Sequence, residues 1–272
     1  MGLDVFKSEV EKLLGYALPP ARPYTFDRNI DDFGWSTGED GKHHFTLFIE
    51  NGRIQDEPGR DFKAGLREIA KVHKGSFRLT ANQHLLVSDV ADEDLPGIKS
   101  LLASYKLDNL SHSALRLSSS ACVAFPTCGL AMAESERYLP LLIDKVEKIC
   151  EENGLRNDSI VMRMTGCPNG CARPYIAEVA FVGKAPGTYL MLLGGGYYGQ
   201  RLNKIYRESV TEPEILAILT PMIQRYALER RASERFGDWT IRAGYISATT
   251  EGKAWYEGVG GEGAWREVAV GA

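Results

Sequence analysis

The chain lacks any long apolar run. None of its 272 residues falls in an uninterrupted hydrophobic stretch that approaches the roughly 18 residues needed to span a membrane. Its first residues also lack the basic start and apolar centre of a secretory signal, and they follow the pattern of an acidic amphipathic helix instead. We therefore predict a cytoplasmic protein.

Strong charge of either sign is missing as well. The formal net charge of -4 gives the chain no general attraction to nucleic acid or to an anionic membrane, so neither is a predicted partner. An anionic ligand would have to be held by a local group of cations. Cysteine is scarce and odd in number, at five, which argues against a disulfide framework and for reduced thiols or metal ligands.

What is present is an ordinary globular composition, with 44% hydrophobic and 25% charged residues. Residue patterns predict an N-terminal helix over 2–14 and, further on, a first α+β unit. Its predicted elements are a hairpin turn at Asn51-Gly52, a helix over 62–72, strands over 76–80 and 84–88, and a helix over 93–105. A second α+β unit follows the polar stretch after Leu110. Its predicted elements are a helix over 140–150, strands over 160–164, 176–182 and 189–193, and a helix over 212–230.

Four of the five cysteines form two close pairs. Five residues separate Cys122 from Cys128, three separate Cys167 from Cys171, and both pairs lie in turn sequence rich in Gly, Pro and Asn. Tight turns can direct several thiolates into one space and leave N–H groups free to bond to sulfur, which favours an iron–sulfur cluster. Structural zinc and unliganded core cysteines stay open as alternatives, although five intervening residues are more than zinc pairs usually have. Cys150 ends a helical pattern and is predicted to be a core side chain.

These motifs also resemble a known family. Cys122 to Cys128 with the following Gly-Leu-Ala-Met-Ala-Glu-Ser-Glu-Arg, and Met164-Thr-Gly-Cys-Pro-Asn-Gly-Cys-Ala-Arg, are similar to the two signatures of sulfite and nitrite reductase hemoproteins. Segments such as Phe-Ile-Glu-Asn-Gly-Arg-Ile, Arg-Leu-Thr-Ala-Asn-Gln and Phe-Gly-Asp-Trp-Thr-Ile-Arg-Ala-Gly extend the likeness to the assimilatory sulfite reductase branch over about residues 2–245.

The resemblance implies a fold and two cofactors. It implies an α+β protein with a ferredoxin-like half domain over 37–110 and an iron–sulfur and siroheme-binding domain over 111–250. A lead-in helix and linker over 1–36 precede them, and a flexible tail is expected over 251–272. It further implies a [4Fe–4S] cluster on Cys122, Cys128, Cys167 and Cys171, with the thiolate of Cys171 shared with the siroheme iron. The implied activity is the six-electron reduction of sulfite to sulfide in sulfur assimilation.

Other residues are candidates for the surroundings of siroheme, whose carboxylates need cations and polar donors. Position in the resembling segments implies Arg78, Asn82, Gln83 and Arg116, and Asn169 lies between the last two cysteines. For each, solvated surface or simple turn geometry is the alternative reading. Lys74, Arg163 and Arg173 are further cations near the motifs. The sequence Gly-Gly-Gly-Tyr-Tyr-Gly at 194–199 fits a dinucleotide-binding spacing, but no suitable helix start follows it, so nucleotide binding is not predicted.

Members of this family resemble a duplication of two facing halves, and this chain shows one copy. We therefore expect a C-terminal portion of a larger hemoprotein subunit, inactive alone and without a catalytic residue of its own. Its expected partners are the N-terminal half of the same subunit, a flavoprotein reductase that uses NADPH, and sulfite. The alternatives are a nitrite reductase of the same family and a zinc-stabilised or cofactor-free interaction module.

Overall fold

The computed structural model describes residues 2–251, without the side chain of Arg60. The flexible tail expected over 251–272 therefore lies, apart from its first residue, outside the described residues. Within them, no helix has both the length and the apolar character that crossing a lipid bilayer requires.

The first unit is an antiparallel sheet covered by two helices. Its elements in chain order are α1 (Leu3–Leu14), β1 (Gly34–Thr37), β2 (His43–Leu47), β3 (Asp56–Glu57), β4 (Arg60–Asp61), α2 (Phe62–Val72), β5 (Ser76–Leu79), β6 (Leu85–Val90) and α3 (Leu95–Ser104). The sheet has the order β1-β2-β6-β5, and β3 pairs with β4 in a separate short ribbon. The helices α2 and α3 pack against the sheet around Phe45, Leu66, Val87 and Leu102.

The helices of this unit follow from their sequence. In α2 the buried positions Phe62, Leu66 and Ile69 recur at helical spacing, so one face of the helix is apolar. Gly65 lies on the same face, where an added Cβ would come 2.6 Å from the Cβ of Tyr105, just beyond α3. A glycine there lets the end of α3 approach the α2 backbone closely.

The second unit is a mixed sheet with helices packed on one face. Its elements are α4 (Ala114–Ser118), β7 (Ser120–Ala121), α5 (Leu139–Glu152), β8 (Met162–Thr165), β9 (Val179–Ala185), β10 (Thr188–Leu193), β11 (Lys204–Val210), α6 (Glu212–Glu229) and α7 (Phe236–Arg242). The strand order is β11-β10-β9-β8-β7. The pairs β7–β8 and β8–β9 are parallel, whereas β9–β10 and β10–β11 are antiparallel.

Two apolar clusters cover the two faces of this second sheet. Met162 and Met164 of β8 join the main core with residues of α5, α6 and α7. Val161, at the adjacent position, belongs to a smaller cluster on the other face with Ala180 and Val182. Because side chains alternate along a strand, Arg163 and Thr165 point to this second face.

The predicted hairpin at Asn51-Gly52 was wrong. The residues do adopt positive φ values, 51° and 74°, but they form a 3₁₀ turn, Glu50–Gly52, and β2 pairs with β1 and β6 instead. The turn bonds to the second unit, since the Asn51 side-chain amide donates to the carbonyl of Glu136 at 3.0 Å. Asn-Gly thus redirects the chain toward the cysteine region.

Candidate functional site

Both cysteine pairs begin at the same edge of the second sheet. β7 ends at Ala121, directly before Cys122, and β8 ends at Thr165, two residues before Cys167. The two strands are parallel neighbours, with Ala121 opposite Met164. Because carboxyl ends of adjacent parallel strands meet at one sheet edge, the two cysteine loops start side by side.

Gly166 joins the two loops through its backbone. Its N–H donates to the Sγ of Cys122 at 3.2 Å. Its carbonyl accepts from the N–H groups of Met132 and Ala133, at 2.7 and 3.1 Å, in the segment after Cys128. The loop that carries the first pair is therefore bonded to the residue that precedes Cys167.

The thiols differ in exposure, and none is in a disulfide. Cys167 is buried, Cys122 and Cys128 are half-buried, and Cys171 is exposed. Cys150 lies in α5, where burial raises the pKa of its thiol to about 12, so it is neutral and unreactive. This agrees with its predicted role as a core side chain.

Within the described residues, side chains that could ligate a metal ion do not form a compact group. Across residues 2–251, no three side chains of His, Cys, Asp or Glu approach each other closely enough to hold a metal ion. A [4Fe–4S] cube places its thiolates at separate corners, farther apart than the ligands of a single ion.

The turn between β5 and β6 also reaches the cysteine edge. Gln83 donates from Nε2 to the carbonyl of Ala121 at 2.9 Å, and its Oε1 is buried without a hydrogen-bond partner. The side chain of Asn82 accepts from Nη2 of Arg173 at 3.0 Å and donates to Oδ1 of Asp31 at 2.9 Å. Two of the predicted siroheme residues are thus next to the cysteine loops.

Three other predicted residues have different surroundings. Arg78 is exposed on β5 and pairs with Asp89 at 2.7 Å, and Asn169 is exposed in the turn between Cys167 and Cys171. Arg116 is mostly buried, and three carboxylates surround its guanidinium. They belong to Glu50, Asp144 and Glu147, the last at 2.9 Å. The charge of Arg116 is already balanced within the protein.

An ion pair between half-buried Arg53 and buried Glu136 connects the two units beside the first cysteine. Glu136 is 6% exposed and accepts from Nε and Nη2 of Arg53, the latter at 2.8 Å. The N–H of Glu136 donates to the carbonyl of Cys122 at 3.0 Å. Neither residue was predicted to matter, because nothing in the sequence around Arg53 signals a partner so distant along the chain.

Arg163 is the one predicted cation that is both deeply buried and close to the second pair. It is 3% exposed, donates from Nη1 to the carbonyl of Arg173 at 3.2 Å, and has no partner for Nε. Burial, and then the positive charge of Arg173, lower the pKa of Arg163 to about 10.

Known proteins resemble both units. A model of the nitrite/sulfite reductase ferredoxin-like half domain matches residues 36–105. The NADPH sulfite reductase hemoprotein beta-component of Bordetella petrii is 55% identical over 253 residues, 93% of this chain and 43% of that protein. The sulfite reductase subunit beta of Saccharomyces cerevisiae is 56% identical over 263 residues, 95% of this chain and 18% of that protein.

The chain belongs to the nitrite/sulfite reductase family. It spans less than half the length of these family members, and the same holds for the Bacillus velezensis protein, of which it covers 45%. Among solved structures, the Mycobacterium tuberculosis NirA protein matches 90% of the chain with a TM-score of 0.71 at 24% identity, which shows a shared fold. The predicted α+β class with a ferredoxin-like half domain is therefore confirmed.

Proposed function

We propose that Cys122, Cys128, Cys167 and Cys171 bind one [4Fe–4S] cluster, and that Cys171 also ligates the iron of siroheme. In this proposal the chain is the cofactor-binding part of an NADPH-dependent sulfite reductase hemoprotein. The single observation that carries it is the bond from the Gly166 N–H to the Sγ of Cys122, since it joins the two cysteine loops at one sheet edge.

The residues present fit such a cluster. Backbone N–H groups that donate to sulfur stabilise thiolate ligands, and Gly166 already makes this bond. Cys167 is buried whereas Cys171 is exposed, so the last thiolate has an open side toward a second group. When bound, a cluster coupled to siroheme supplies stored electrons to the iron that holds the substrate.

The same proposal places Arg78, Asn82, Gln83, Arg116 and Asn169 around siroheme. Gln83 and Asn82 have the most support, because their turn contacts the cysteine region and the Oε1 of Gln83 is buried and unpaired. Arg116 and Arg78 have less, since carboxylates of the chain already bind both guanidinium groups.

The proposed reaction reduces sulfite to sulfide with six electrons from NADPH, in the cytoplasm. A flavoprotein partner would oxidise NADPH and pass on the electrons. The relatives are longer than the region that this chain matches, and we propose that sulfite turnover needs their additional half. Residues 1–272 alone should then show negligible sulfide production.

Anaerobic reconstitution tests the ligand assignment. The chain would be incubated with ferrous iron and sulfide, desalted, and assayed for iron, acid-labile sulfide and visible absorption. We expect one [4Fe–4S] cluster per chain, and loss of most of it on Ser substitution of Cys122, Cys128, Cys167 or Cys171. Cys150→Ser is the matched control and should keep the cluster, because Cys150 lies inside α5. Equal iron content in all five variants would contradict the assignment.

A further inference from the structure

Arg163 carries a buried charge that the chain itself does not balance. Among residues 2–251, no carboxylate lies within ion-pair distance of it, and its neighbour is a second cation, Arg173. Three other arginines with limited exposure do have such partners. Arg53 pairs with Glu136, Arg116 with three carboxylates, and Arg201 with Asp238 at 2.6 Å.

A buried ion without a counter-ion is costly, because water that would solvate it is excluded. Replacing even a buried ion pair with apolar side chains of similar volume is often neutral or stabilising. The presence of Arg163 under these conditions indicates that an anion from outside the described residues balances it.

The position of Arg163 favours an anion held near the second cysteine pair. It lies on β8, four residues before Cys167, and points to the sheet face opposite the main core. Its Nη1 holds the carbonyl of Arg173, two residues after Cys171, where the backbone adopts a φ of 55°. Arg163 therefore contacts the segment that follows the second cysteine pair, and its hydrogen bond to the carbonyl of Arg173 stabilises the turn there.

We propose that Arg163 is the buried counter-cation of the iron–sulfur cluster, and that it both positions the turn after Cys171 and favours the reduced cluster. This inference rests on the proposed function. A cube held by four thiolates is anionic, and its negative charge increases by one on reduction. A fixed cation in a low-dielectric site stabilises the more negative state more strongly, so Arg163 raises the reduction potential.

Redox titration of the reconstituted chain, followed by electron paramagnetic resonance, tests the electrostatic part. Arg163→Met removes the charge and keeps an unbranched side chain, whereas Arg163→Lys keeps the charge. Arg156→Met is the control, since Arg156 is exposed, pairs with Glu151 and has no part in the proposed site. We expect Arg163→Met to lower the equilibrium constant for cluster reduction by about tenfold. This corresponds to a reduction potential that is lower by ~59 mV for a one-electron step. Arg163→Lys should keep most of the wild-type potential, and Arg156→Met should leave the potential unchanged.

Thermal unfolding gives a second readout. Without iron, Arg163→Met should unfold at a higher temperature than the wild-type chain, because an unbalanced buried charge is gone. With the cluster bound, Arg163→Met should unfold at a lower temperature than the wild-type chain. An unchanged potential in Arg163→Met, or a lower unfolding temperature for its iron-free form, would overturn the inference. A wild-type chain that takes up no cluster would refute the proposed function itself, and this inference with it.

Discussion

Gly166→Ala should separate the two cysteine loops, because there is no room for a side chain at this position. An added Cβ would come 2.7 Å from the Cβ of Ala124 and 2.8 Å from the carbonyl oxygen of Ala133. Neither neighbour is a flexible side chain that can turn away. Both belong to the segment that carries the first cysteine pair, so this segment has to move.

The cost can be estimated from the packing. Forcing extra atoms into a close-packed region typically costs about 1 to 3 kcal/mol. Any shift also lengthens the bond from the Gly166 N–H to the Sγ of Cys122, and the bonds that Gly166 accepts from Met132 and Ala133. We expect the free energy of unfolding to fall by about 2 kcal/mol. Cluster uptake on reconstitution should fall more steeply than stability, since the cluster needs both loops in register.

Urea denaturation monitored by circular dichroism, with iron and acid-labile sulfide assays on the same preparations, measures both effects. Gly129→Ala is the matched control. Gly129 directly follows Cys128 in the same loop, and an added Cβ there would meet nothing within 4 Å. Wild-type stability and cluster content in Gly166→Ala would refute this prediction, and so would an equal loss of both in Gly129→Ala.

Three further outcomes follow from buried or capping contacts. Arg53→Ala should lower the free energy of unfolding by ~3 kcal/mol, because it leaves Glu136 buried and unpaired. Glu136→Ala should lower it by only ~1 to 2 kcal/mol, because Arg53 can reach water. Urea denaturation of both would show the asymmetry, and equal losses would contradict it. Burial raises the pKa of Glu178 to about 7, so the folded state holds its proton more tightly and stability should fall between about pH 5 and 7. Glu178→Gln should remove this part of the pH dependence, and an unchanged slope would contradict it. Thr211→Ala breaks the capping box with Glu214 at the start of α6. It should lower the melting temperature by about 2 to 4 °C, and an unchanged melting temperature would contradict the role of this cap.

Much of the fold was predictable because its elements carry local signals. Helical spacing of apolar residues predicted α2 and α5, and the start of α6 was predicted from its cap. The strands that were missed have weak local signals. β7 has two residues, and β11 mixes charged and apolar residues without clean alternation. Their existence depends on pairing with distant strands, which a residue pattern does not encode.

The candidate site was likewise predictable only in part. The cysteine spacing predicted which side chains belong together, but only the parallel pairing of β7 with β8 explains how they meet. The importance of Gly166 depends on neighbours that come from other segments, and no local pattern marks them. Arg116 and Arg163 looked alike in the sequence, yet the fold surrounds Arg116 with carboxylates and leaves Arg163 without one.

Iron K-edge X-ray absorption on the anaerobically reconstituted chain tests the central claim most directly, namely that the four cysteines converge on one cube. We expect iron surrounded by sulfur, with iron–iron scattering typical of a [4Fe–4S] cluster. Iron bound only by oxygen or nitrogen, with no iron neighbour, would contradict it.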